Sequence, residues 1–142
     1  MKKIVFGTLG LCMALALTNM ASAQTARFEG HWKNVNPQTR GVIELDIKGR
    51  GIDVDVKAWG ACTPKPCEIG NIDAHLYAPG VGDNIVATAQ ALIVRYHDSF
   101  SERILVIEPR GEGELFAQMF THFTDNSKRT NYVESGTFKK TR

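Results

Sequence analysis

The chain has 142 residues, and its 17 Lys and Arg residues nearly balance its 15 Asp and Glu residues. This length is typical of one domain. The interspersed charges provide no broad positive field of the kind that nucleic-acid binding usually needs, so we expect no nucleic-acid partner.

Residues 1–23 have the three parts of a secretory signal peptide. Two lysines precede an almost unbroken apolar run over residues 4–17, and Ala21-Ser22-Ala23 has the small residues of a cleavage site. The apolar run is shorter than a membrane span of about 20 residues. We therefore predict cleavage and a single domain over residues 24–142, periplasmic or secreted and without stable membrane insertion. The alternative is an uncleaved N-terminal anchor.

Cys62 and Cys67 are the two cysteines that remain after cleavage. In an oxidising compartment an even pair favours a disulfide. Pro64 and Pro66 stiffen the segment between them. Redox catalysis usually uses the shorter Cys-x-x-Cys spacing, and a zinc site needs further ligands. We therefore predict a structural disulfide, with no metal and no cofactor.

Apolar and polar residues alternate with period two along most of the remaining chain, as in strands with one buried face. The clearest pattern is a hairpin of residues 42–48 and 52–58 around Gly49-Arg50-Gly51. The apolar positions predicted to face inward are Ile43, Leu45, Ile47, Ile52, Val54 and Val56. Six further strands are predicted over residues 27–35, 70–77, 85–97, 103–108, 115–124 and 129–139.

Eight strands joined by short turns predict an all-β fold, an antiparallel up-and-down meander. Closure into a barrel is the simplest way to bury its apolar face, and it also removes the exposed strand edges. An open β-sandwich is the alternative.

Gly30-His31-Trp32 lies on the predicted first strand. This motif, followed by an eight-stranded meander, resembles the calycin superfamily of lipocalins and avidins. The resemblance implies a calycin-like barrel in which Trp32 closes one end and a basic side chain of the last strand packs across it. The candidates for that side chain are Lys139, Lys140 and Arg142. Biotin binding is not implied, because the additional tryptophans of the avidin pocket are missing.

A second resemblance rests on Gly30-x-Trp32-x-Asn34, Thr39-Arg40-Gly41-Val42 and Trp59-Gly60-x-Cys62-x-Pro64-x-x-Cys67. This combination resembles a family of uncharacterised secreted bacterial proteins. It supports the single exported domain and implies no activity.

Trp59 shares its strand face with Asp55 and Lys57, away from the aliphatic positions. Beside the disulfide loop it is expected either to pack over the barrel end or to offer a stacking platform to a ligand. Four side chains are our candidate ligand or barrel-end contacts: Trp32, Arg40, Trp59 and Lys65.

The remaining polar residues form no recognisable catalytic motif. The four histidines, which lie on different predicted strands and in no metal-binding spacing, are His31, His75, His97 and His122. The carboxylate pairs Glu44/Asp46 and Asp53/Asp55 fall on the solvated face of the predicted hairpin. We therefore assign no catalytic residue and favour a protein that is not an enzyme.

Three functional hypotheses follow. The first is an exported, non-enzymatic binding protein for a small molecule or other ligand, with its site at the barrel mouth or the disulfide loop. The second is a protein-interaction module, such as an enzyme inhibitor, that uses Pro64-Lys65-Pro66. The third is an enzyme of unknown type. A capacious lumen would favour the first hypothesis, and a filled barrel with an exposed loop would favour the second. A converging cluster of polar side chains with displaced pKa values would favour the third.

Overall fold

The computed structural model describes residues 25–141, so the predicted signal peptide and its cleavage site lie outside the described residues. Eight antiparallel strands each pair with the next along the chain, and the last pairs with the first to close a barrel. The predicted all-β meander and its closure are confirmed. No helix in this part of the chain has the length and apolar character to cross a membrane.

The strands are β1 Gly30–Asn34, β2 Val42–Arg50, β3 Asp53–Gly60, β4 Cys67–Tyr77, β5 Ala91–His97, β6 Ser101–Pro109, β7 Glu114–Phe123 and β8 Tyr132–Lys140. A short 3-10 helix, Thr25–Arg27, precedes β1, and one helical turn, α1, spans Ile85–Thr88.

The predicted fifth strand was wrong in its first half. Residues Ile85–Thr88 form α1, and β5 begins only at Ala91. The physical reason is a helix cap: the side chain of Asn84 accepts a hydrogen bond from the backbone N–H of Ala87, at 3.1 Å. This local bond favours a helical turn over the extended backbone that the β-branched neighbours predict.

The predicted inward face of the hairpin is confirmed at its centre, where Leu45 and Val56 are buried together with their neighbours in the same alternation. Ile52 was assigned wrongly and is 59% exposed. Because Arg50 pairs with Asp53, Ile52 belongs to the two-residue turn. Ile43 is only half-buried, since a register shift beside it interrupts the alternation.

Trp32 lies at the end of the barrel where β1 begins. It is 1% exposed, and its Nε1–H donates to the carbonyl of Phe28 at 2.8 Å. Lys140 on β8 places its Nζ 5.5 Å from the centroid of the Trp32 ring, a cation–π contact. The expected basic side chain across Trp32 is therefore present, and it is Lys140.

The opposite end of the barrel carries the β1–β2, β3–β4, β5–β6 and β7–β8 connections, and we call this end the mouth. Between the two ends the interior is filled by inward aliphatic and aromatic side chains. A cavity between Glu134 and Met119 has a volume of about 10 Å³, which is no larger than a water site requires.

Leu45→Ala is expected to lower the free energy of unfolding by about 2–5 kcal/mol, because it deletes fully buried volume. Ile52→Ala removes a similar aliphatic side chain from the turn, and it should change the free energy by no more than about 0.5 kcal/mol. Denaturant unfolding measures both. Equal losses in the two variants would contradict the assignment of the inner and outer faces.

Candidate functional site

The predicted disulfide between Cys62 and Cys67 is present, with a Cα–Cα distance of 5.5 Å, in the usual range for a disulfide. It joins the segment after β3 to the first residue of β4. Residues 61–68 are all exposed, so the loop that the disulfide clamps is open to solvent. We call residues 62–67 the disulfide loop.

Trp59 lies on the outer wall of the barrel, next to the disulfide loop. Along β3 the buried residues Val56 and Ala58 alternate with the half-buried Lys57 and Trp59. The predicted strand face of Trp59 is confirmed. Because its ring packs against side chains on the outside of the barrel, it does not cover a barrel end.

A shallow groove of about 720 Å³ runs along the outer wall beside this ring, and we call it the Trp59 groove. Its floor comes from β1, β2 and β3, and the disulfide loop forms one side. The pairing register creates it, because Glu44 on β2 is opposite both Lys33 on β1 and Trp59 on β3. The lining residues are His31, Lys33, Glu44, Asp46, Trp59, Lys65, Pro66 and Thr141.

Glu44 is the centre of the charged groups on the groove floor. One carboxylate oxygen lies 3.2 Å from Nε2 of His31, and the other lies 3.3 Å from Nζ of Lys33. The His31 ring in turn meets Trp59 edge-on, with 6.2 Å between ring centroids. On its own strand, Lys57 places Nζ 5.1 Å from the centroid of the Trp59 ring. These contacts hold the indole in a defined position.

The lysines at the groove differ in whether they form an ion pair. Lys33 pairs with Glu44, and Lys57 beside the groove pairs with Glu68 at 2.9 Å. Lys65, on the disulfide loop, has no acidic partner among residues 25–141. A positive charge with no acidic partner in the described part of the chain therefore stands beside an accessible aromatic ring.

The four candidate contacts separate in space. Trp59 and Lys65 line the same groove. Trp32 is buried in the interior, on the opposite face of the sheet. Arg40 is exposed on the β1–β2 connection and does not line the groove.

Sequence reasoning missed His31, Lys33 and Glu44 as neighbours of Trp59. His31 was counted among scattered histidines, and Glu44 was placed on a solvated face. The alternation does show that all of these side chains point outward. Which of them meet depends on the register between strands, which the alternation within one strand does not contain.

The described residues include no group of three or more His, Cys, Asp or Glu side chains arranged to hold a metal ion. Comparison of the chain with protein-family models, curated proteins and solved structures finds no match.

Replacing both Cys62 and Cys67 by Ser is expected to lower the free energy of unfolding by less than about 2 kcal/mol, the chain-entropy value for so short a loop. The loss should be on the low side because two prolines already restrict the same segment in the unfolded chain. Thermal unfolding with and without reductant measures the effect.

Wild-type protein in reductant should lose the same stability as the double variant, and the variant should not respond to reductant. Two results would contradict a structural disulfide. One is native protein with both thiols free by mass measurement, and the other is an unchanged melting temperature accompanied by loss of a thiol–disulfide exchange activity.

Proposed function

We propose that this chain is a non-enzymatic binding module that recognises another protein through the Trp59 groove and the disulfide loop. The observation that carries the proposal is the contrast between a filled barrel interior and an open groove on the outer wall. The groove combines an accessible indole, a stiff loop and a cation, Lys65, that pairs with no acidic side chain of residues 25–141.

The interior is a poor container for a ligand. Small-molecule sites are usually concave, mostly apolar and roughly 300–1,000 Å³ in volume, whereas the cavity beside Glu134 measures about 10 Å³. The Trp59 groove is large enough, but it is open, and most of the residues that line it are polar or charged. Such a surface suits the broad contact of a protein partner better than the enclosure of a small molecule.

Trp59 has the properties of an interface hot spot. Tryptophan is enriched among the few residues that dominate binding energy at protein interfaces. The indole is half-buried, and it is held between the ring of His31 and the ammonium group of Lys57. A side chain that is already fixed loses little conformational entropy when a partner covers it.

The disulfide loop supplies the charge and a second preorganised element. The Cys62–Cys67 bond closes the loop, and Pro64 and Pro66 restrict its backbone. Its Lys65 forms no ion pair with a carboxylate of the described residues. A binding protein that places a carboxylate beside Lys65 therefore gains electrostatic complementarity. The chemistry of the groove thus favours a protein segment with an apolar side chain for Trp59 and a carboxylate for Lys65.

The proposed compartment is the periplasm or the cell exterior. Disulfides persist where the environment is oxidising, and residues 1–23 have the pattern of a secretory signal peptide. Membership of the calycin superfamily is likewise a proposal, supported by the closed eight-stranded barrel and by Lys140 across Trp32.

A photo-crosslinking amino acid at Thr63, on the exposed disulfide loop, is expected to capture a discrete protein partner in the native host. Trp59→Ala in the same protein should abolish the crosslink. Phe120→Ala is the matched control, because Phe120 is an aromatic residue 44% exposed on β7, outside the groove. A crosslink that persists unchanged in Trp59→Ala would contradict the proposal.

The captured partner is then purified and its affinity measured by calorimetry. Trp59→Ala should weaken binding at least about tenfold, as hot-spot truncations do. Lys65→Glu should also weaken binding, and more at low salt than at high salt, because it reverses a charge at the interface. Lys128→Glu, on the exposed β7–β8 connection, is the control and should bind as the parent does.

A further inference from the structure

The outer wall of the barrel is charged on one side and largely apolar on the other. Around β2 and β3 most of the outward side chains are charged: Glu44, Asp46, Lys48, Asp55 and Lys57. Around β6, β7 and β8 most of the outward side chains at the middle of the strands are apolar: Ile104, Val106, Phe116, Phe120 and Val133. We call these five residues the apolar wall.

The apolar wall is open to solvent. Phe120 on β7 is 44% exposed, and Val133, its pairing partner on β8, is 53% exposed. Ile104 on β6 pairs with Phe120 from the other side, so the three side chains form one row across three strands. A shallow groove of about 460 Å³ runs beside this row. Exposed apolar patches with polar residues around them are typical of protein interaction sites.

Charged side chains lie at both ends of the apolar wall. At the mouth end, Glu102 on β6 pairs with His122 on β7. At the other end, Glu108 on β6 pairs with Phe116 on β7, and the guanidinium carbon of Arg110 lies 4.0 Å from the centroid of the Phe116 ring. At each end, therefore, the acidic side chain is on the β6 side and the basic side chain is on the β7 side.

A second copy of the chain is the partner that this arrangement fits. Most homodimers have a two-fold axis, and the contact face must then be complementary to itself. Sheets that pack face to face commonly keep their strands aligned to within about 30°. Two orientations satisfy this alignment, one with the two-fold axis along the strands and one with the axis across them.

With the axis along the strands, between β6 and β7, β6 of one copy lies over β7 of the other at the same level. Glu108 then faces the Phe116 ring of the second copy and the Arg110 side chain stacked on it. At the mouth end, Glu102 faces His122 of the second copy, and it shares this contact with His97 of its own chain, at 3.6 Å. Each carboxylate therefore meets a basic side chain, and the two apolar walls cover each other.

With the axis across the strands, the charges oppose the contact. This axis turns β6 end for end, so that Glu102 faces Glu108 of the second copy, and like charges across an interface are unfavourable. We propose that the chain forms a homodimer through the outer walls of β6 and β7, with the two-fold axis parallel to these strands.

The dimer leaves the Trp59 groove open. In the strand order of the barrel, β2 and β3 lie opposite β6 and β7, so the two grooves of a dimer point away from each other. Because the wall of a barrel is convex, the contact is limited to the central strands. An interface of this small size favours a reversible equilibrium between monomer and dimer over a permanent dimer.

Sedimentation velocity over a series of concentrations tests the proposal with protein purified from its native host. A species with twice the mass of the denatured chain is expected at high concentration, and it should dissociate on dilution. Phe120→Ala should weaken dimerisation at least about tenfold, as truncation of a central aromatic side chain does. Tyr77→Ala, which truncates an aromatic side chain 42% exposed on β4, is the control and should dimerise as the parent does.

Two results of this measurement would overturn the proposal. One is a monomer at every concentration, and the other is a dimer that Phe120→Ala leaves unchanged. Near-UV circular dichroism verifies that each variant retains the native packing.

Charge reversal tests the direction of the axis. Glu108→Arg and Arg110→Glu should each weaken dimerisation at low salt, because each places like charges opposite each other. In a mixture of the two variants, both contacts across the heterodimer again join opposite charges. The mixture should therefore dimerise where each variant alone does not, and a mixture that dimerises no better would overturn the proposal.

A photo-crosslinking amino acid at Val133 distinguishes the possible occupants of the apolar wall in the native host. The expected product has twice the mass of the chain. A product with a different protein or with a lipid in its place would overturn the proposal. Because the Trp59 groove is on the opposite wall, loss of the dimer in Phe120→Ala leaves the crosslink from Thr63 unchanged. The homodimer and the groove can therefore fail separately.

Discussion

The closure of β1 onto β8 is the constraint on which the rest of the barrel depends. β1 is a short strand, and only three residue pairs join it to β8. Trp32 lies at this seam, buried and hydrogen-bonded, with Lys140 of β8 against its ring. Closure gives every strand two neighbours and divides every strand into an inner and an outer face. Trp59 is on the outer wall and Arg103 inside the mouth only because that division holds all the way around.

The fold was largely predictable because its main signal, alternation with period two, is local. The alternation identified all eight strands and placed Leu45 inside and Trp59 outside. It failed where a single hydrogen bond or residue pair determines the backbone conformation. The Asn84 cap forms the helical turn α1, and the pairing of Arg50 with Asp53 leaves Ile52 exposed in the turn. For the groove, the sequence predicts which side chains face outward. It does not predict the contact between His31 and Trp59, because that contact depends on the register between strands.

The inward position of Arg103 was overlooked, although the sequence contains a signal for it. Arg103 stands at the same alternation as the buried residues Leu105 and Ile107. A charged residue at an inward position of a barrel strand is an exception to the binary pattern. Such exceptions are often found where function or strain outweighs packing. Alternation read only for its apolar members identifies the core and misses the polar residues that share its inner face.

The contact across the seam also limits when this domain folds. Thr141 Oγ1 donates to the carbonyl of His31 across 110 residues of sequence, and the pairing of β1 with β8 spans a similar separation. Contacts this distant in sequence form late, because the chain between them must first be ordered. Because synthesis makes β1 first and β8 last, β1 has a free edge until the final strand is available. An unfinished chain is therefore exposed to pairing of this edge with other chains until the seam closes.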